Sequence, residues 1–369
     1  MKKIIAFILM LAMVLSLGAC GGSKTSQTPE PAPVEEAPVL KIGVLTLLGT
    51  TEEEMVDYYN AVGLATQAIA DAGKTDDHLG DKPEELPEKP QTEIVFYDSL
   101  DAMLMALNAG DINTMSIYNT TADYLVANND KLIKGLSYDY DPEAKDLSAF
   151  LLHGVLANSF SFMMMEGRED LRDEFNAAIA SMKADDTLEK FIKEQMRDVV
   201  DGKEIEAIKM PVFEGAETIK VAVTGSLPPM DYVAADGTAA GYNTAVLAEI
   251  SKRIGKNIEL VVVDSVGRAA ALASGTVDAV FWTRTSDLSN ALSSIPAEER
   301  KAVSEKFNAE EVSKMTEQEQ KAFAQIEESF DIGEYGKKDM PEGTIITVSY
   351  FNDTIVPVMT KDFAEKLAK

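Results

Sequence analysis

The chain has 369 residues, 62 of them acidic against 34 basic, and a formal net charge of −28. A surface of that sign repels polyphosphates and anionic headgroups, so the composition argues against a nucleic-acid partner. Hydrophobic residues make up 46%, as in a globular protein, and the one cysteine, Cys20, excludes an internal disulfide.

The first residues, MKKIIAFILMLAMVLSLGAC, carry two lysines, an apolar run from Ile4 to Leu17, and then Leu17-Gly18-Ala19-Cys20. A basic start with a short apolar stretch predicts an export signal over 1–19 and not a spanning helix. L-G-A-C resembles a bacterial lipoprotein cleavage box, which implies cleavage before Cys20 and lipid attachment to its sulfur. The alternative is an ordinary signal with an incidental cysteine. Residues 20–39 are rich in Gly, Ser, Pro and Glu and predict an extended tether without a core. Some 330 residues follow, enough for two domains. None of the later segments approaches the ~20 apolar residues of a membrane span.

From Leu40 the chain reads as strand, helix, strand, helix, strand. LKIGVLTLLG at 40–49 is a strand, 58–74 a helix, EIVFYD at 93–98 a strand, 99–110 a helix and INTMSIY at 112–118 a strand. Between them, 74–92 is a loop rich in Pro and acidic residues. The same order returns in the second half. IKVAVT at 219–224 alternates as a strand. Val246, Leu247, Ile250 and Ile254 then fall at helical spacing, and Gly255 ends that helix. IELVVVD at 258–264 is a β-branched strand. SVGRAAALASG is a short helix with Asp264 or Ser265 as its cap and Gly275 as its stop, and VDAVFW is a third strand. Short strings recur in step: L-K-I-G-V with I-K-V-A-V, Y-D-S-L with V-D-S-V, L-N-A-G-D-I-N with L-A-S-G-T-V-D. The ends also echo, FSFMMMEGREDLRDEF at 160–175 with TIVPVMTKDFAEKLAK at 354–369. The copies lie about 165 to about 195 residues apart.

This pattern predicts an α/β fold of two tandem lobes, each with a mostly parallel sheet flanked by helices. The expected divisions are a first lobe at 40–205, a linker at 206–217 and a second lobe at 218–369. Within the second, residues 286–342 are charged and helix-forming and read as an inserted excursion, a lid, a partner surface or a solvated insertion.

Residues 218–284 resemble the first lobe of a family 3 extracellular solute-binding protein, the receptor of polar amino-acid ABC importers with a periplasmic-binding-protein fold. The strings that carry the resemblance are K-V-A-V, P-P-M-D-Y, the D-G turn, G-Y-N before a helix, and A-L-A-S-G-T-V-D-A-V. Residues 349–361 resemble the family's segment that crosses between lobes, and 162–196 its C-terminal helices. Three features depart from the family. Only about 25 residues separate Leu125 from Phe150, too few for an inserted lobe. The chain stops soon after the crossing segment in the second repeat, so each repeat looks like one lobe. Finally, the family's carboxylate-holding T-x-x-R is absent, with Asn290 standing twelve residues after Asp278. The resemblance implies a small polar solute as ligand and an ABC permease and ATPase as partners. It also implies an extracytoplasmic protein held to the membrane through Cys20.

In an open α/β sheet, ligands sit where loops leave the carboxyl ends of strands. The expected ligand residues are therefore Thr224, Ser226, Met230 and Tyr232 in one loop, and Trp282, Thr283 and Arg284 after the third strand. Pro228 and Pro229 stiffen the loop. Tyr232 offers a stacking face and a hydroxyl, and Arg284 a fork for a carboxylate. Each has a plainer alternative. Met230 and Tyr232 would cover the sheet edge, Trp282 would be core, and Arg284 would pair with surface acids. Ile117-Tyr118-Asn119 is the matching place in the first repeat.

His78 and His153 lack metal-ligand spacing, and G-x-S-x-G, P-loop and H-E-x-x-H strings are absent. No catalytic residue, cofactor or metal is expected. A non-transporting sensor or scaffold lipoprotein, and an enzyme of the dehydratase type on the same fold, are the alternatives to an importer's receptor.

Overall fold

The computed structural model describes residues 40–46, 92–135, 157–264, 267–284 and 342–367. The signal, Cys20 and its tether, the 58–74 helix and nearly all of the 286–342 excursion lie outside them.

The first repeat gives β1 (Leu40–Leu45), β2 (Thr92–Tyr97), α1 (Leu100–Ala109), β3 (Thr114–Tyr118), α2 (Asn119–Asn128) and β4 (Leu132–Lys134). Its tail gives β5 (Ala157–Met165), α3 (Glu169–Ala184) and α4 (Thr187–Ile192). The second repeat gives β6 (Thr218–Val223), the short strands β7 (Ser226–Leu227), β8 (Asp231–Val233) and β9 (Ala239–Ala240), then α5 (Tyr242–Ile254), β10 (Asn257–Val262), α6 (Gly267–Ala273) and β11 (Ala279–Arg284). It ends with β12 (Thr344–Ile346), β13 (Phe351–Thr360) and α7 (Lys361–Leu367).

The local signals behave as their chemistry requires. Ser99 caps α1 by accepting from the Ala102 N–H at 3.3 Å, and Gly110 closes that helix at φ 83°. Asp264 accepts from the Gly267 N–H at 2.6 Å. Gly255 ends α5 at φ 68°, a conformation an L side chain resists.

Parallel pairing holds inside each repeat, β2 and β3 flanking β1, β10 and β11 flanking β6. This is the expected α/β order. The two sets are joined into one ten-stranded sheet, in the order β10-β6-β11-β5-β13-β3-β1-β2 with β12 beside β5 and β4 beside β13. The joining strands are exchanged. β5, from the first repeat's tail, runs antiparallel to β11 with Phe162 opposite Phe281. β13, from the second repeat's tail, runs antiparallel to β3 with Ile355 opposite Tyr118. The two tails also pair with each other along β5, the start of β13 with Phe351 opposite Phe160 and β12 with Ile346 opposite Met163. Hydrogen bonding therefore crosses the 206–217 segment in both directions. The helices follow their strands: Arg253 of α5 donates to Ser181 and Asp185 at α3 at 2.6 and 2.8 Å, and the Lys361 N–H that opens α7 donates to the Lys131 carbonyl.

Burial explains why the joins hold. Phe160, Phe162, Met163 and Met164 of β5 are fully buried, as a continuous apolar run with cover on both faces requires. Tyr118, Phe160 and Phe351 meet edge to face or tilted, at 5.0 and 5.6 Å between ring centroids, and Phe162 stacks on Tyr350 at 4.7 Å. This aromatic seam, drawn from both repeats, contributes beyond its area. Strand β12 stops at Ile346. Thr347 still donates its N–H to the Phe162 carbonyl but accepts the Phe162 N–H on its hydroxyl, both at 2.9 Å, and the crossing strand begins only at Phe351.

Candidate functional site

Strands β1, β3, β6 and β11 bring residues of both repeats to one cleft. It encloses about 400 Å³, open mouth included, and is lined by Leu45, Thr46, Ser99, Leu100 and Tyr118 from the first repeat. Thr224, Ser226, Leu227, Arg268 and Phe281 line it from the second. Both repeats thus present the loop after their first strand and the start of the helix after their second.

On the second-repeat side the loop between β6 and β8 is built around a carboxylate. Asp231 is 2% exposed. One oxygen accepts the Thr224 N–H at 2.6 Å and the Thr224 hydroxyl at 3.0 Å, and the other accepts the Gly225 N–H at 3.2 Å. Burial pushes this carboxyl above its usual range, against those hydrogen bonds and the nearby Arg268 charge. Strands β7, β8 and β9 form a small antiparallel sheet on the loop. Gly241 sits where a Cβ would lie 2.7 Å from the carbonyl oxygens of Pro229 and Met230.

Arg268 is the other charged group. It opens α6, is 4% exposed, and donates from one terminal nitrogen to the Phe281 carbonyl at 3.0 Å. Its guanidinium carbon lies 4.5 Å from the Phe281 ring centroid, a cation–π distance. Its Nε–H has no hydrogen-bond partner among the described residues. Burial lowers its pKa, opposed by Tyr118, Asp231 and Tyr350.

Of the residues expected from sequence, Thr224 and Ser226 line the cleft. Met230 is fully buried in the apolar core and anchors the loop from below. Tyr232 is half-buried in β8, its main chain paired with Ser226 and Ala240, and it is not among the cleft-lining residues. Burial raises its hydroxyl pKa, with Tyr124 of α2 adding to the effect. Trp282, Thr283 and Arg284 continue β11 opposite Ser161, Phe160 and Ser159; their side chains lie outside the described set. Tyr118 lines the cleft from the first repeat, where Ile117-Tyr118-Asn119 was expected.

Sequence reasoning assigned no role to Asp231 or Arg268. The available signal was a guanidinium inside the alanine-rich string GRAAALA just after a strand, where an apolar residue fits the helix pattern better. Among the described residues no cluster of three or more His, Cys, Asp or Glu is placed to hold a metal ion. No described helix is long and apolar enough to cross a membrane.

Residues 219–330 match the family model of bacterial extracellular solute-binding proteins, family 3. No curated protein matches the sequence. Among solved structures, similarity extends to the ligand-binding component of an ABC-type import system from Staphylococcus aureus. It is 10% identical, covers 90% of this chain and 71% of that one, and has a TM-score of 0.36. The BvgS VFT2 domain of Bordetella pertussis is 12% identical, covering 89% and 83%, at a TM-score of 0.36. The GluR0 ligand-binding core of Nostoc punctiforme, in complex with (L)-glutamate, is 10% identical, covering 89% of each chain, at a TM-score of 0.31. These scores describe a loose overall similarity.

Proposed function

We propose that this chain is the extracytoplasmic solute-binding lipoprotein of an ABC importer, taking an amino acid or similar small polar solute in the cleft. The observation that carries the reading is the cleft itself: strand ends of both repeats converge on one small, hydroxyl-rich space, where ligands of open α/β folds sit. The family match over 219–330 supports it. In this reading each lobe combines the three parallel strands of one repeat with the tail of the other. The crossing strand β13 and its neighbour β5 then lie where the lobes meet, and closure of the cleft would trap the solute. Arg284, at the end of β11, and Tyr232 remain proposed contacts at the rim. An ABC permease and ATPase would be the partners of the closed form, and Cys20 would carry the lipid.

A solute screen by thermal unfolding tests the receptor reading. A ligand that binds only the native state at 100 times its Kd stabilises by about 2.7 kcal/mol. One solute, or a small related group, should raise the Tm, and a flat screen across amino acids, peptides, sugars and organic anions overturns the reading. For the anchor, Cys20→Ser should leave the protein out of the membrane fraction or unprocessed. Unchanged lipid labelling of that variant overturns it.

A further inference from the structure

We infer that Arg268 is the anchor of the cleft and that the solute carries an oxyanion, a carboxylate first. This deepens the receptor reading above and rests on it.

The Arg268 guanidinium has an incomplete set of hydrogen bonds among the described residues. A buried guanidinium is tolerated when its donors are satisfied. Arg268 is 4% exposed, yet its Nε–H is unpartnered among the described residues. The carboxylate whose field it feels does not complete it. Asp231 spends both oxygens on Thr224 and Gly225 and makes no recorded hydrogen bond to Arg268. The Phe281 ring holds the guanidinium on one face at 4.5 Å, and the Phe281 carbonyl takes one terminal N–H. A stacked guanidinium keeps its edge donors in plane, the geometry that meets two anionic oxygens together.

The surroundings select the sign of the ligand. Among the described residues Arg268 is the only charged one lining the cleft, and its polar neighbours there are the hydroxyls of Thr46, Ser99, Tyr118, Thr224 and Ser226. Ser226 makes no side-chain hydrogen bond among the described residues, so its hydroxyl is available to donate. An ammonium or guanidinium solute would meet a like charge; a carboxylate meets a fork and a hydroxyl donor. The position also differs from the T-x-x-R arginine of the family that the sequence resembles, because Arg268 leaves the second strand of its repeat and not the third.

The test pairs anions with their neutral amides on the full-length protein. N-acetyl-L-alanine against N-acetyl-L-alaninamide and succinate against succinamide probe carboxylates; ethanesulfonate and inorganic phosphate probe other oxyanions. Wild type should be stabilised by at least one anion and not by its amide. Arg268→Met should weaken that Kd about ten- to hundredfold. Arg268→Lys, which keeps the charge without the fork, should fall between. The wild-type comparison of anion with amide stands even if Arg268→Met fails to fold. An anion effect that survives Arg268→Met overturns the assignment and leaves the receptor reading intact. Stabilisation only by neutral or cationic solutes overturns the oxyanion, again sparing the receptor. No stabilisation by any solute overturns both.

Discussion

Asp353 and Thr120, far apart in the chain, close the crossing strand onto the first repeat. One Asp353 oxygen accepts the Thr120 N–H at 3.1 Å and the Thr120 hydroxyl at 2.6 Å. The pair fixes the start of α2 against β13, just where β13 passes from pairing with β5 to pairing with β3. It satisfies a free N–H of the first helical turn with a carboxylate, which also suits the helix dipole.

That contact has a cost at neutral pH. Asp353 is 8% exposed, and burial raises its pKa from 3.8 to about 6, with the hydrogen bonds from Thr120 and Thr354 opposing and Asp123 reinforcing. Asp123 itself pairs with Lys134. A folded-state pKa above the unfolded one means that the native protein binds more protons between the two values. The contribution of Asp353 is therefore greatest below pH 3.8 and is lost as pH rises through about 6. A gap of this size is on the order of 3 kcal/mol. Urea unfolding of wild type and Asp353→Asn at several pH values measures it. Relative to the variant, wild type should lose stability between pH 4 and 7, and a constant difference contradicts the account.

Tyr350 ties the same crossing segment to α5. Its hydroxyl donates to Asn243 Oδ1 at 2.7 Å, and Tyr242 donates to the Tyr350 carbonyl at 2.9 Å. Asn243 is fully buried and its Nδ2 has no partner among the described residues. Tyr350→Phe keeps the stacking on Phe162 but leaves the whole buried amide without a side-chain hydrogen bond. The expected cost is about 1–3 kcal/mol, and it should shrink when the substitution is made in an Asn243→Ala background. Equal costs in both backgrounds would show that the hydroxyl stabilises through something else.

Local order was legible and long-range order was not. The α5 pattern of Val246, Leu247, Ile250 and Ile254, its Gly255 stop and the Asp264 cap of α6 depend on neighbours within a few residues, so periodicity and cap chemistry found them. The exchange of tails depends on which distant strand accepts FSFMMM or TIVPVMT. The two strings echo each other because they occupy equivalent strands, and the echo does not say which repeat each one completes. The cleft was found through the loop after β6, since strand ends face the crevice whatever the tertiary detail. Arg268 escaped notice because a short alanine-rich helix does not reveal which face meets the cleft. Met230 sits beside Asp231 in the same loop yet is core, and periodicity cannot separate two neighbours in an irregular segment.

Gly241 should tolerate no side chain. It has φ 99°, and an added Cβ would lie 2.7 Å from two main-chain oxygens. Those carbonyls also accept the Tyr242 and Asn243 N–H groups, so they cannot move away without opening the start of α5. The backbone conformation alone costs on the order of 1–3 kcal/mol for an L residue, and the close approach adds to it. Gly241→Ala should lower the Tm markedly. Gly237, at φ 86° with nothing within 4 Å of an added Cβ, should show the smaller effect of conformation alone. Comparable losses at both sites would mean that the contact with Pro229 and Met230 contributes nothing.

The exchange of tails makes a prediction about dissection. A fragment of 40–205 retains β5 without β11, its antiparallel partner, and β3 without β13. A fragment of 218–369 has the reverse lack. Each would expose a long strand edge, in the first case the run from Phe160 to Met164, every residue of which, Ser161 included, is fully buried in the whole chain. Such edges seek a partner. Neither fragment should unfold cooperatively alone, while the two expressed together should associate and recover a cooperative transition. Circular dichroism melts and co-purification measure both outcomes. If each fragment melts as an independent domain and the pair does not associate, the boundary at 206–217 separates two self-sufficient lobes and the exchanged strands are not what holds them together.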